Sequence, residues 1–405
     1  MPAFDAPSSR GRVNWRRNLA ALWVAEFTAI FGFSFALPFL PIYLNQDLGV
    51  PRGQALALWS GLVGGGSGIG LMLTSPIWGV VADRYGRKPM LLRAIVGAAV
   101  TVGLMGIVRS APQLFALRVL QGTTSGTVSA ATALAAAETP RSRMAWAMGI
   151  LNSSVALGST LAPAIGGVAA LLVGLRWTFL VGGGLLALSA IPVLLVVRES
   201  PRAPRDPSAP RASLRSVDPA VLRALGVLVA GQALMQFAYF ATQQLAALHI
   251  LSLSPGHASA FTGLAFGVAG GTTALAALTY SRLTGRLGYR RVAVLAACLF
   301  AFSIAAVGLA GSIAPVVAAV AVYGLAYGAL SPALAAMIGV QAPREVQATI
   351  FGISASALAV GVALGPVTSG VVAAATNVSA GLYAAGGVAL ILALFLALVA
   401  RDPKA

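Results

Sequence analysis

The sequence predicts an all-α membrane protein, twelve transmembrane helices arranged as two pseudo-symmetric six-helix bundles. Three observations carry this reading. Hydrophobic residues make up 58% of the chain and charged residues only 9%, a balance typical of chains that live in lipid. The apolar residues fall into runs of about 20 or more, long enough to cross a bilayer as a helix, and the charges gather in the short gaps between runs. The two halves of the chain also repeat one another at a nearly constant offset, the mark of a duplication.

Taken in order, the apolar runs cover about 18–44, 55–82, 90–108, 112–138, 144–172 and 175–197, then 219–249, 259–281, 291–310, 314–341, 346–375 and 378–400. Residues 1–17 form a short N-terminal segment with Arg10, Arg12, Arg16 and Arg17; the run that follows is too long for the core of a cleaved signal. Residues 18–197 make the first bundle. Residues 198–217, beginning Arg-Glu-Ser-Pro-Arg-Ala-Pro-Arg-Asp-Pro, are rich in Pro, Ser and Arg and read as a linker. Residues 218–400 make the second bundle, and 401–405 a short tail. Pro140-Arg141 returns as Pro343-Arg344, and Gly158, Pro163 and Gly167 return as Gly361, Pro366 and Gly370, all shifted by 203. Gly61 and Gly86 return as Gly263 and Gly288, shifted by 202.

The net charge of +17 does not mark a nucleic-acid binder, because the arginines sit in loops that orient a membrane protein. With both termini in the cytoplasm, 23 of the 27 Lys and Arg lie on the cytoplasmic side. Only Arg52, Arg109 and Arg176 fall outside, and Arg118 lies within a span. The single Cys298 excludes an intramolecular disulfide. His249 and His257 lack a cluster of metal ligands, so no metal is expected. The glycines of Gly64-Gly65-Gly66-Ser67-Gly68-Ile69-Gly70 lie inside an apolar run with no P-loop lysine, and read as helix packing. No nucleophile–base pair and no ATPase motif is visible. The chain is not read as an enzyme.

Between the second and third runs stands Gly79-Val80-Val81-Ala82-Asp83-Arg84-Tyr85-Gly86-Arg87-Lys88-Pro89. Its spacing, G-x-x-x-D-R-x-G-R-K, resembles the loop between the second and third helices of the major facilitator superfamily. The resemblance covers about 15–400 and implies two six-helix halves around a substrate site near the midplane. It implies that Asp83 faces the positive N-terminal end of the eleventh helix and, with Gly79, Arg84, Gly86, Arg87 and Glu138, latches the outward-facing state. Arg87 is expected to pair with Glu138. The plainer alternative is an isolated surface ion pair, worth little. The second half carries glycine where Asp83 would recur and alanine at 321, opposite Arg118, so the charged machinery is expected in the first half.

Glu26 is the acidic residue that lies well inside an apolar run, roughly 12 Å from its inner end. A charge at depth costs at least ~2.5 kcal/mol and usually faces a cavity. Burial favours a neutral carboxylic acid and hydration the charged form, so a cavity that opens to each side in turn would load and release a proton there. Glu26-Phe27-Thr28-Ala29-Ile30-Phe31-Gly32, followed by Pro38, resembles the first helix of proton-coupled multidrug exporters. A glutamate snorkelling to the interface or bonded for packing is the other reading. Arg118, within Arg118-Val119-Leu120-Gln121-Gly122, is similar to the family's R-x-x-Q-G motif, implicated in proton coupling; a structural arginine bonded to backbone carbonyls and Gln121 fits equally. In the fifth run, Gly149, Gly158, Ala162, Pro163, Gly166 and Gly167 resemble the hinge motif of drug:proton antiporters, with Ala162 in place of a glycine. Close helix packing explains the same glycines.

For the substrate wall the candidates are Phe27, Phe31, Phe35, Gln121, Gln232, Gln236, Phe237, Phe240, Tyr323 and Tyr327. Phe27 and Phe31, Gln232 and Gln236, and Tyr323 and Tyr327 are each four apart and share a helix face. Aromatic walls with few fixed polar groups suit varied lipophilic compounds, and one carboxylate favours cations. Lipid-facing or core positions would show the same residues. The resemblance thus implies a monomeric, multi-pass exporter in the cytoplasmic membrane, without cofactors, that exchanges protons for small lipophilic or cationic compounds such as drugs. An exporter of a sugar or other polar metabolite, or a non-transporting membrane sensor, stays open.

Overall fold

The computed structural model describes residues 14–200, 217–343 and 346–399, except for the side chains at 75, 76, 79, 80, 82–84, 141, 145, 281, 348 and 399. The N-terminal segment, most of the linker, the C-terminal tail and the side chains of Gly79, Asp83 and Arg84 therefore lie outside the described residues.

Among the described residues fourteen α-helices follow one another: α1 (Trp15–Ala36), α2 (Leu40–Gln46), α3 (Gln54–Tyr85), α4 (Arg87–Met105), α5 (Ala111–Thr124), α6 (Thr127–Glu138), α7 (Met144–Val173) and α8 (Leu175–Leu195) in the first half, then α9 (Pro219–Leu253), α10 (Ala258–Leu287), α11 (Tyr289–Leu309), α12 (Ile313–Gln341), α13 (Gln347–Ala375) and α14 (Val378–Val399). No strand occurs among the described residues. Pro38, which has no N–H to donate, splits the first run into α1 and α2 through a short 3-10 turn at Leu37–Phe39. Among the described residues, eleven stretches are long and apolar enough to cross a membrane. The twelfth crossing differs from the continuous 112–138 helix that its apolarity predicts: it is α5 followed by α6.

The cause of that break is local. Ser125 is extended and Gly126 has φ +120°, a conformation that costs a residue with a side chain far more. Backbone carbonyls freed at membrane depth need partners. Trp78 Nε1 donates to Thr123 O at 2.6 Å and Arg93 Nη2 to Ser125 O at 3.1 Å, with the Arg93 guanidinium 3.5 Å over the Trp78 ring.

Successive spans alternate in direction, so the Gly86 turn, residues 139–143, 197–200 and Gly288 share one face of the molecule, the Gly86 face. Residues 47–53, 106–110, Gly174, 254–257 and 310–312 share the other, the Gly174 face. Gly86 and Gly288, the repeat pair, hold φ +100° and +82° in the matching turns before α4 and α11. Between the faces large apolar side chains such as Leu172, Leu278 and Leu309 stand outward, 75–80% exposed, as a surface in contact with lipid tails does.

The halves meet backbone to backbone on the side of the Gly174 face. A Cβ built on Gly61 of α3 would lie 2.8 Å from Gly370 Cα on α13, and one on Gly167 of α7 would lie 2.9 Å from Gly263 Cα on α10. The same crossings bring Gly68 against Ala363 and Gly270 against Thr160. Each crossing is the duplicate of the other: Gly61 repeats as Gly263, and Gly167 as Gly370. Beside each contact sits a hydroxyl, Ser60 and Thr262, both 0% exposed and without a hydrogen-bond partner among the described residues.

A buried hydroxyl without a partner costs about 1–3 kcal/mol, and opening the seam would wet it. Ser60→Ala or Thr262→Val is therefore expected to favour the sealed seam by about that amount, while Gly61→Val wedges it apart. Distances between spin labels on the Gly174-face loops read both shifts; an unchanged distance distribution in all three variants would refute the seam's role in opening.

Candidate functional site

Besides a hollow at the Gly174 face lined by Arg52, Gln54, Leu251 and Asn377, two cavities between the halves lie deeper in the molecule. The larger, about 750 Å³, reaches from mid-depth toward the Gly86 face; Ile30, Phe33, Leu71 and residues 125–129 line it from the first half, and Gly352, Ala355, Ser356 and Ala359 of α13 from the second. The first turn of α6 (Thr127, Val128 and Ser129) opens onto it because the break at Ser125-Gly126 ends one helix there and starts another. The smaller, about 150 Å³, sits at mid-depth among Ser34, Pro38, Ser159, Thr160, Pro163, Tyr239, Gln243, Thr273, Tyr323 and Tyr327.

Glu26 is 1% exposed, and neither carboxylate oxygen has a hydrogen-bond partner among the described residues. It is turned inside the protein rather than toward lipid. Glu26, Ile30 and Phe33, at i, i+4 and i+7, share one face of α1, and the latter two line the larger cavity. The acid thus sits one turn below that cavity wall.

Arg118 is 7% exposed and fully engaged. Its Nε donates to Val63 O at 3.0 Å, and its Nη2 to Gly64 O at 3.2 Å and Ser67 Oγ at 2.9 Å; Nη1 donates to Gln121 Oε1. It bonds α5 to the glycine-rich stretch of α3, where small residues leave room for the guanidinium. Gln121, proposed for the substrate wall, is 3% exposed and serves this arginine.

Trp23, Phe27, Phe31 and Phe35 form a ladder on α1, with successive ring centroids 5.5, 5.8 and 5.9 Å apart. The ladder flanks the contact with α7: a Cβ on Gly158 would come 3.0 Å from Phe27 O, and one on Gly166 would meet Phe35 O. Of the other fifth-run motif residues, Gly149 has open space around it, Ala162 is buried, and Pro163 O and Gly167 face α10. On the second half the aromatic residues gather. Tyr239 stacks on Tyr323 at 5.5 Å, lies tilted against Tyr327 at 4.1 Å and meets Phe240 edge-on at 5.2 Å. Tyr323 Oη donates to Tyr239 O at 2.8 Å, and Tyr327 Oη to Gln236 Oε1 at 3.0 Å. Gln232 is 6% exposed with its Oε1 unpartnered among the described residues, and the Phe237 backbone lies against Gly361 and Gly365. Phe27, Phe31 and Phe35 are thus gathered apart from Tyr323 and Tyr327. Tyr239 and Gln243, absent from the sequence-based wall, complete the smaller cavity; their signal was the spacing 232, 236, 239, 243 on one face of α9.

At the Gly86 face the expected Arg87–Glu138 pair does not form. Arg87 Nη1 donates to Ala133 O at 2.8 Å, and Glu138 accepts from Ser200 N at 2.9 Å and Ser200 Oγ at 2.7 Å. The carboxylate beside the Gly86 turn is Glu199, which accepts from Arg87 N at 2.9 Å and Lys88 N at 2.9 Å. A carboxylate on the first N–H groups of a helix satisfies orphan donors and meets the positive end of the helix dipole. Lys88 Nζ donates to Val197 O at 2.7 Å, and Asn18 exchanges bonds of 2.6 and 3.0 Å with the Arg198 backbone. The start of the linker is pinned to α1, α4 and α6. At the opposite face Arg176 pairs with Asp47 at 3.5 Å; burial pushes the Asp47 carboxyl up from its ordinary range, and the Arg176 charge offsets part of that. No group of His, Cys, Asp or Glu able to hold a metal occurs among the described residues.

The model of the Major Facilitator Superfamily matches residues 22–257 and 228–405. The chain is 30% identical to the multidrug resistance protein MdtG of Klebsiella pneumoniae over 411 residues, covering 100% of this chain and 97% of that one. It is 30% identical to YuxJ of Bacillus subtilis, an uncharacterized MFS-type transporter, over 365 residues, covering 89% and 93%. Among solved structures, the nucleoside transporter NupG superposes with a TM-score of 0.78 at 15% identity, covering 95% of this chain and 100% of that one. A bacterial homologue of the human lysosomal transporter Spinster, inward-facing and occupied, superposes at 0.73 with 17% identity, covering 94% and 96%. At these identities the superpositions establish the fold.

Glu199→Ala is expected to lower stability by about 1–2 kcal/mol, the usual cost of losing a charged helix cap, and Glu199→Gln by about half as much. Thermal unfolding in detergent checks this. Equal melting temperatures for Glu199→Ala and the parent would remove the cap.

Proposed function

The chain belongs to the major facilitator superfamily and is a multi-pass membrane transporter rather than an enzyme, and from that premise we propose that it exports small lipophilic or cationic compounds in exchange for protons. The observation that carries the proposal is Glu26: 1% exposed, both oxygens without a partner among the described residues, one turn from a cavity wall between the halves. The name of the MdtG relative supports drug export, and the positive-inside rule supports a cytoplasmic Gly86 face.

On this reading the described conformation is inward-facing. Substrate enters the larger cavity from the cytoplasm and binds against α1, α6 and α13. The seam at Gly61–Gly370 and Gly167–Gly263 then parts as the halves rock, and the Gly86 side closes. Water reaching Glu26 from outside protonates it, which removes the charge that favoured a cationic substrate and releases the cargo. The return to the inward state delivers the proton to the cytoplasm. Asp83, at the end of α3, is the proposed latch of the outward state, set against the N-terminus of α13. Arg118 acts in this scheme by fixing α5 to α3, so that the break at Ser125-Gly126 keeps its place in the cavity wall.

A second reading has its own observation. The smaller cavity is rich in hydroxyl and amide groups (Ser34, Ser159, Thr160, Thr273 and Gln243), which suits a polar metabolite better than a lipophilic drug.

Glu26→Gln is expected to abolish efflux driven by a pH gradient and to weaken binding of cationic cargo, while leaving membrane insertion intact. Substrate-dependent proton flux in proteoliposomes is the measurement, with a panel of lipophilic cations and sugars as cargo. Full coupled flux in Glu26→Gln would move the proton to another group; flux with sugars alone would favour the polar metabolite. Asp83→Asn should stop transport with protein still in the membrane, and normal rates would remove the latch.

A further inference from the structure

Away from the interface between the halves, α10, α11 and α12 enclose an apolar groove of about 300 Å³, lined by residues that include Leu283, Leu287, Leu295, Leu299, Ala326 and Ala329. At its Gly86-face end, Leu287 and Leu295 are shared with a second hollow of about 460 Å³, whose wall carries Arg290 and Arg291. The two form one continuous path. It begins at Ala276 in α10, near mid-depth, and ends beside Leu287, a span of roughly 16 Å at 1.5 Å per residue. One leaflet of hydrocarbon is about 15 Å thick.

The chemistry changes along the path as it does along a phospholipid. Thr279 is the polar side chain on the apolar stretch, and its hydroxyl already donates to Leu275 O at 3.0 Å, so the groove makes no polar demand on what fills it. Leu295 stands 60% exposed and Leu283 41%. The mouth is basic, and no acidic side chain lines either hollow among the described residues. Arg290 donates to Ala397 O, which ties α11 to α14 and fixes its stem, while Arg291 is exposed at the first turn of α11.

We propose that this path binds an anionic phospholipid of the leaflet at the Gly86 face, with its phosphate against Arg291 and Arg290 and one acyl chain between α10, α11 and α12. Basic pockets between transmembrane helices on the cytoplasmic side are suited to anionic headgroups. The site does not depend on the nature of the cargo, and its occupant would bear on the second half, bracing α10 as that helix moves against α7.

The test is native mass spectrometry of the full-length protein, delipidated in detergent and then given phosphatidylglycerol or phosphatidylcholine of the same chain length. The parent is expected to retain phosphatidylglycerol in clear excess, by about five-fold per arginine engaged. Arg291→Gln should lower that excess about five-fold without changing phosphatidylcholine, and Arg291→Lys should keep most of it. Ala329→Phe, which fills the groove, should reduce retention of both lipids. The melting temperature of each variant with and without phosphatidylglycerol gives a second reading that does not need the complex to survive desolvation. Equal retention of the two lipids by the parent, or a preference that Arg291→Gln leaves intact, would overturn the headgroup site. Undiminished retention in Ala329→Phe would overturn the acyl groove.

Discussion

Everything in this molecule is arranged around two places where helices from opposite halves touch through their backbones. In lipid no hydrophobic force separates helix–helix from helix–tail contact, so association rests on close van der Waals packing. Gly61 against Gly370 and Gly167 against Gly263 give that packing. A contact of this kind is tight but not locked, since it carries no ion pair among the described residues. Gln46 adds one polar tie across the halves, donating to Pro255 O at 3.0 Å. A seam held by surface contact rather than charge can part at modest cost, as the proposed exchange requires. The cavities lie where the seam ends: α3 and α13, pressed together near the Gly174 face, diverge toward Leu71 and Gly352.

Polar groups at membrane depth fall into two kinds. The paired ones hold shape. Arg118 fills four acceptors on α3 and α5, while Trp78 and Arg93 take the carbonyls that the Ser125-Gly126 break sets free. A broken helix in lipid is stable only with such partners. Among the unpaired ones in the described residues, Glu26 sits one turn from the cavity wall, and Ser60 and Thr262 lie in the seam.

The Gly86 face shows how a duplicated design diverges. Lys88 donates to Leu194 O at 3.2 Å, and its repeat mate Arg290 donates to Ala397 O, the mate of that carbonyl. Both tie the helix after the glycine turn to the last helix of its own half. The tie braces each bundle from within. Among the described residues, the first half also holds the Glu199 cap and the Ser200–Glu138 bonds, which bring the linker start into the same cluster.

Sequence alone determined the all-α class, the twelve crossings, the division into halves, the family's loop motif and the buried acid, because each is written in local quantities: run length, charge position, repeat offset. Composition also singled out the glycines, as pairs 202 or 203 apart. What it did not carry is which glycine meets which. Repeat mates do not touch each other; Gly61 touches the mate of Gly167, a crossed pairing that arises only when the halves face each other about a pseudo-two-fold axis. The same holds for side chains whose partners are remote in the chain. Arg87 and Glu138 have opposite charges and suitable depth, yet the Arg87 guanidinium goes to Ala133 O and Glu138 to Ser200. Tertiary structure also broke the fourth run, since an apolar stretch with Ser125-Gly126 reads as continuous until Trp78 and Arg93 are seen to supply the bonds that a break demands.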